Sequence, residues 1–306
     1  MSSPSNDLKV KWLTDAAGIT RQAYYKWVAE ADSRKAREER DRSDFNLILK
    51  AYQYRGIDKG AKGIHMRLLH MNPPVIMNEK KIRRLMRKFG LFCPIRKPNP
   101  YKARIRQFHE SSMADNIVDR QFQYFNPREA FSTDISYLYY KHGRCKCYLS
   151  VIRDFCTHEI LAQVVSPSLA EDFVLDTINQ LYQYHGSEIC QNAIVHSDQG
   201  IHYQCLDFSR LLRDKHLRQS MSRRANCWDN APQESFFGHM KDEIRLKILE
   251  CETHYDVRKV INEYVEYYNT ERGQWSLAKL TPQEYYEYRK TGEYPLLRGR
   301  SKIDVE

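Results

Sequence analysis

The sequence predicts an α/β protein, a mixed sheet with helices packed against it, preceded by an all-α region. Three observations carry that expectation. Apolar residues recur at helical spacing up to about residue 92, and from about residue 127 they fall into short runs, FSTDISYLYY, CYLSVIRDF and EILAQVV, that read as three successive strands. Further on, strands and helices alternate in the order βββαβαβαα, which implies a mixed sheet flanked by helices. Charge divides at nearly the same place: residues 1–110 hold 25 basic and 11 acidic side chains, net +14, whereas residues 111–306 hold 24 and 28, net −4.

Composition removes several classes. A chain of 306 residues with 42% apolar residues is long enough for more than one folding unit and can bury a real core. No apolar run approaches the ~18 residues of a membrane span. The start MSSPSNDLKVKW lacks the apolar stretch of a secretory signal, so a cytoplasmic protein is expected. Eight scattered cysteines without any Cys-x-x-Cys fit neither a disulfide framework nor a zinc ribbon.

In chain order, LKVKWLTDAA, a break at Gly18 and RQAYYKWVAEA outline a helix-turn-helix over residues 1–40, with Thr20 as N-cap of the second helix. Arg21, Gln22 and Lys26 would face a DNA groove while Ala23, Tyr24 and Trp27 pack; a plain helical hairpin fits these few residues equally well. Residues 31–43, polar and alternating in charge, read as an exposed helix or linker. A second helical unit is expected over 41–95, ending in NEKKIRRLMRKFGL with Asn78 as N-cap and Gly90 as stop. There Ile82, Leu85 and Met86 face inward, leaving Lys80, Lys81, Arg83, Arg84, Arg87 and Lys88 for phosphates. Residues 96–124 form a basic, Pro-containing linker that includes Arg96 and Lys97. Between 80 and 106 there are 11 basic residues and no acidic one, the footprint of a segment lying along phosphates, although a solvated basic helix reads similarly. The α/β unit then occupies 125–290 and a tail 291–306.

Three carboxylates attract attention inside that unit. Asp134 sits mid-strand among aromatic and β-branched residues, where a charge is costly unless paired or bound to a cation. Asp198 follows the apolar strand AIVH in HSDQG, at the carboxyl end where α/β sheets place ligands. Glu234 lies in the first turn of the helix opened by DNAPQESFF. Hard oxygen donors on three separate elements are what Mg²⁺ or Mn²⁺ requires for two-metal phosphoryl chemistry. Singly, each has an ordinary structural reading as a strand-edge Asp, a turn Asp and a first-turn Glu.

The segments STDISYLYY, HSDQGIHYQ, QSMSRRANCWDNAPQESFFGHMKDE and YYNTERGQWSLAKLTPQEYY decide between these readings. They resemble the catalytic core of bacterial insertion-sequence transposases of the insertion-sequence-three family, relatives of retroviral integrases, and the N-terminal units resemble the DNA-binding region before that core. The resemblance implies an RNase H-like fold of the retroviral integrase type after a helix-turn-helix region. It makes Asp134, Asp198 and Glu234 the catalytic triad and the ligands of two Mg²⁺, for which Mn²⁺ may substitute. The activity it implies is binding of element ends and metal-dependent DNA strand cleavage and strand transfer. Partners would be double-stranded DNA, as terminal inverted repeats and target, and further copies of the chain, at least a dimer, with fusion to an upstream-frame product as an option. Ala225, His158, Phe131 and Gln274 depart from the usual family text without touching the triad.

Lys241, seven residues beyond Glu234 on the same helix face, is a candidate for holding a phosphate, and so are Arg223, Arg224 and Arg272. Asn226, Asp229 and Asn230 either cap the helix or touch DNA; His196 and His202 either assist proton transfer or are structural. A tyrosine recombinase is excluded because none of the 11 histidines is followed by Arg at the third position. A nuclease without strand transfer, or an idle DNA-binding derivative, would share the triad; the two helical units disfavour the first and the intact carboxylates the second.

Overall fold

The structure is a computed structural model and describes residues 10–57, 59–93, 125–170, 172–198, 200–222 and 231–296. Its N-terminal part is all helical: α1 (Val10–Ala16), α2 (Arg21–Ala29), α3 (Ala31–Gln53), a 3-10 turn at Tyr54–Gly56, α4 (Ala61–Leu69) and α5 (Glu79–Lys88). Thr20 caps α2 by accepting from Ala23 N at 3.1 Å, and Asn78 caps α5 by accepting from Lys80 N at 2.7 Å. The core of α3, α4 and α5 is made by Ile48, Ala51, Ile64, Leu68, Ile82, Leu85 and Met86, so the inward face expected of α5 is present.

Two expectations change here. Trp27 does not pack; it is 60% exposed, with the Arg34 guanidinium 4.1 Å above its ring. Of the described residues of α1 and α2, Thr14 alone is buried, because two short helices enclose too little volume for a large ring. Of the two readings of residues 31–43, exposed helix or linker, the helix is present, but it is the first half of α3, which runs unbroken across residue 40, where the first unit was expected to end. Good helix formers with no Gly or Pro make that continuity favourable.

The C-terminal part contains β1 (Ala130–Tyr140), β2 (Cys145–Asp154), β3 (Ile160–Ser166), α6 (Asp172–His185), β4 (Ile194–Ser197), α7 (Ile201–Gln204), α8 (Leu206–Asp214), β5 (Arg218–Met221), α9 (Ala231–Glu250), α10 (His254–Thr270), a 3-10 turn at Trp275–Leu277 and α11 (Pro282–Thr291). Where one helix was expected around 203–215 there are two, since Cys205 is extended and its thiol caps α8 at Phe208 N. Among the described residues the strands form one sheet in the order β3-β2-β1-β4-β5, antiparallel through β1, β2 and β3 and parallel from β1 to β4 to β5. This is the RNase H-like arrangement.

Alternation along β2 divides the core into two layers: Cys147, Leu149 and Val151 face α9 and α10, while Tyr148 and Ile152 face α6 and α8. The Tyr-rich α10 belongs to this packing, because Tyr264, Tyr267 and Tyr268 are buried against Phe236 of α9. The helical unit docks on the same layer. Ile57 is buried in the cluster of α9 and α10, and both Tyr54 and Arg55 bond the Glu271 carboxylate. A Cβ on Gly273 would stand 3.1 Å from Met66 Cβ and 3.0 Å from Lys279 O, so a larger residue would require α4 or this turn to give by a few tenths of an ångström.

Candidate active site

Register places the first two carboxylates. Parallel β1 and β4 pair Ala130 with Ile194, Phe131 with Val195 and Ser132 with His196. Two residues further along each chain stand Asp134, in the middle of β1, and Asp198, just past the carboxyl end of β4. Asp134 is half-buried opposite Val151 of β2, and its Oδ1 accepts from Ile135 N at 2.7 Å. Asp198 closes the turn into α7 by accepting from Gly200 N at 2.8 Å. Any side chain at 200 would put Cβ 2.9 Å from that same Oδ1, so the Asp198 carboxylate would have to shift.

The third carboxylate is delivered by α9. Ser132 Oγ donates to Gln233 Oε1 at 2.9 Å, with Gln233 fully buried, so the first turn of α9 is pinned to β1 beside Asp134. Phe236, Phe237 and Met240 anchor the inner face of the helix, and Glu234 projects outward in its first turn. Burial, together with the Asp198 and Glu234 carboxylates, pushes the Asp134 carboxyl up to about 7, opposed by the Ile135 N–H and the Lys241 ammonium. Lys241 faces the same site: burial lowers its pKa and Asp134 holds it up. Among the described residues no three His, Cys, Asp or Glu side chains are drawn close enough to enclose a metal ion.

The other sequence candidates separate sharply. Arg272 is not available to a phosphate, because it is bound to Glu243 at 2.7 Å and stacked near Tyr268. On α5, Arg84 makes a two-pronged bond to Asp41 of α3 at 2.7 and 2.8 Å, Lys88 bonds Glu38 and Asp41, Lys81 pairs with Asp44, and Arg83 bonds Glu79 at 2.9 Å. Lys80 and Arg87 are exposed and have no carboxylate partner among the described residues. Arg21, Gln22 and Lys26 are exposed on α2. His196 is structural: it is fully buried and its Nδ1 meets Ser220 Oγ of β5 at 2.9 Å. Arg96, Lys97, Arg223, Arg224, Asn226, Asp229 and Asn230 lie outside the described residues.

Several contacts that build the site and its surroundings carried no signal in the sequence. The Ser132 to Gln233 bond joins residues 101 apart. His158 and Gln274, two of the family departures, meet: the imidazole, pushed down to about 3 by burial and by Arg153, stays neutral and donates from Nδ1 to Gln274 Oε1 at 2.9 Å. Arg128 is buried among Asp154, Glu159 and Glu188 at 3.5, 2.8 and 3.2 Å, tying the entrance of β1 to the end of β2.

Comparison with known proteins places this geometry. Models of the integrase core domain match residues 125–227 and 215–282, and a model of an HTH-like domain matches residues 38–99, the unit of α3, α4 and α5. An uncharacterized transposase-like protein of Haemophilus influenzae is 35% identical over 212 residues, 68% of this chain and 93% of the relative. The transposase for insertion sequence element IS904 of Lactococcus lactis is 30% identical over 225 residues, covering 72% and 85%. The transposase InsF for insertion sequence IS3A of Escherichia coli is 25% identical over 238 residues, covering 78% and 80%. With an aspartate in the middle of β1 beside one at the end of β4, a glutamate on the facing helix, an integrase-type core and these relatives, the chain belongs to the insertion-sequence-three family of transposases.

Proposed function

We propose that this transposase binds the ends of its element through the helical region and catalyses divalent-metal-dependent cleavage and strand transfer of DNA. The observation that carries the reading is the β1/β4 register, which sets Asp134 beside Asp198 with α9 and Glu234 alongside. Burial, with the Asp198 and Glu234 carboxylates nearby, raises the Asp134 carboxyl, and oxygen donors gathered at one place suit a hard divalent cation, Mg²⁺ or Mn²⁺. Bound by Asp134, Asp198 and Glu234, two such cations would stabilise the attacking and leaving oxygens of an in-line phosphoryl displacement. Within this reading β1 and β4 hold two ligands on rigid strands, the Ser132 to Gln233 bond aims the third, and Lys241 orients a phosphate of the strand being cut. No covalent bond to the protein is required.

For grip on DNA, Lys80 and Arg87 are the α5 cations supported by exposure without a carboxylate partner among the described residues, with Arg21, Gln22 and Lys26 on α2 reaching a groove and Arg96, Lys97, Arg223 and Arg224 adding charge. Terminal repeats would be paired by two or more copies of the chain, acting alone or fused to an upstream-frame product. Among the described residues no helix is long and apolar enough to cross a membrane.

The test compares wild type with Glu234→Gln in Mg²⁺-dependent cleavage and joining of labelled element-end DNA at matched salt. Joined products that disappear in the variant while DNA binding persists are the expected result. Cleavage without joining would leave a nuclease, and binding without any cut would leave an idle derivative or a chain that needs its fusion partner.

A further inference from the structure

Between the HTH-like unit and the core lies a cavity of about 770 Å³, within the range of pockets that enclose small molecules. Its walls come from α4, from the Ser235, His239 and Asp242 face of the helix that carries Glu234, and from the turn after α10. Two kinds of group meet at the cavity and its rim, Lys279 standing just outside the lining. Trp275 is 44% exposed, with Lys62 Nζ of α4 at 4.8 Å and Lys279 Nζ at 5.2 Å from its ring centroid. Among the described residues neither lysine makes a close ion pair, although Lys62 is near enough to Glu79 to help lower its pKa. In addition, two donors are buried without an acceptor: Arg67 Nε, whose guanidinium lies 3.5 Å over Tyr54, and Gln274 Nε2, whose amide orientation is fixed by His158. Buried donors left unpaired are unfavourable, and each would be satisfied by an acceptor oxygen or ring nitrogen entering the cavity.

An accessible indole between cations from two folding units, beside unsatisfied donors, matches the way single-stranded nucleic acid is held: a base stacks on the ring and its phosphates meet the flanking charges. We propose that this cavity seats one unstacked nucleotide of the bound DNA, its base on Trp275 and its phosphates between Lys62 and Lys279, with Gln274 and Arg67 donating to it. The inference rests on the DNA-processing reading above. A nucleotide drawn from the duplex at this point is held by the recognition unit and by the catalytic helix together, which couples fraying of the DNA end to the approach of the carboxylates.

The experiment measures equilibrium binding of the full chain to three DNAs: a blunt duplex, the same duplex with a short single-stranded extension, and one whose extension is abasic. The readout is the ratio of extended to blunt affinity, which does not depend on the fraction of protein folded. Wild type should prefer the extension by about tenfold, the scale of one stacked base, and the abasic extension should lose that gain. Trp275→Ala should bring the ratio close to one, and Trp275→Phe should restore most of it. No preference in wild type, a preference retained by Trp275→Ala, or one retained by the abasic extension overturns the proposal. If the blunt duplex binds normally in those cases, only the cavity inference falls; if no DNA binds at all, the DNA reading falls with it.

Discussion

His70 Nε2 of α4 lies 2.7 Å from the Glu284 carboxylate of α11, so an ion pair between residues 214 apart fastens the HTH-like unit to the C-terminal helices. Burial alone would lower the His70 pKa, but the hydrogen bonds to Glu284 and the Met66 carbonyl outweigh it and hold it above 6.5. Glu284 is raised by burial, yet His70 and the Thr281 bonds bring it below 4.5. The imidazolium's contribution is complete below pH 6.5 and disappears as pH rises through the raised folded value. The carboxylate's is complete above pH 4.5 and disappears as pH falls through the lowered folded value. His70→Gln should therefore lower the thermal midpoint most between those two pH values, by the equivalent of about 1.5–3 kcal/mol, and least in alkaline buffer. A pH series of melting curves for both proteins checks this.

Removing the Ser132 hydroxyl should uncouple the first turn of α9 from β1. Ser132→Ala leaves Gln233 buried without its donor, costing about 1–3 kcal/mol of stability. Joining rates should fall by about 10- to 100-fold through misplacement of Glu234, with DNA affinity unchanged. Single-turnover rates beside binding isotherms separate the two effects.

The α5 cations should divide into two classes. Lys80→Ala combined with Arg87→Ala should lower the slope of log affinity against log salt by about two, with the melting temperature unchanged. Arg84→Ala should instead destabilise the unit, because it strips Asp41 of a two-pronged partner. Anisotropy titrations at several salt concentrations, with melts in parallel, distinguish them.

Arg128→Met should be among the most destabilising single changes, by about 3–5 kcal/mol, because Asp154 and Glu159 would keep buried charges without their cation. Denaturant unfolding measures it directly. Recovery of stability on adding Asp154→Asn would assign the loss to the stranded charge.

Legibility followed range. Strands and helices from β1 to α10 were readable because their periodicity is local, and the family was readable because the text flanking the three carboxylates is. Asn78 and Thr20 caps were visible for the same reason. What escaped depends on distant partners: Arg84 looks like a phosphate ligand until Asp41 is found 43 residues earlier, and Arg272 until Glu243 is found 29 residues earlier. The exposure of Trp27 was unreadable because an aromatic at helical spacing announces a core only when enough other elements surround it.

The docking of Ile57, Arg55 and His70 onto the core has a metric consequence. Under the proposed function, a helical unit that grips a terminal sequence stands at a constant offset from the carboxylates of its own chain. The molecule then works as a ruler, and the number of base pairs from recognised sequence to severed phosphate is written in the contacts at residues 57, 271 and 284.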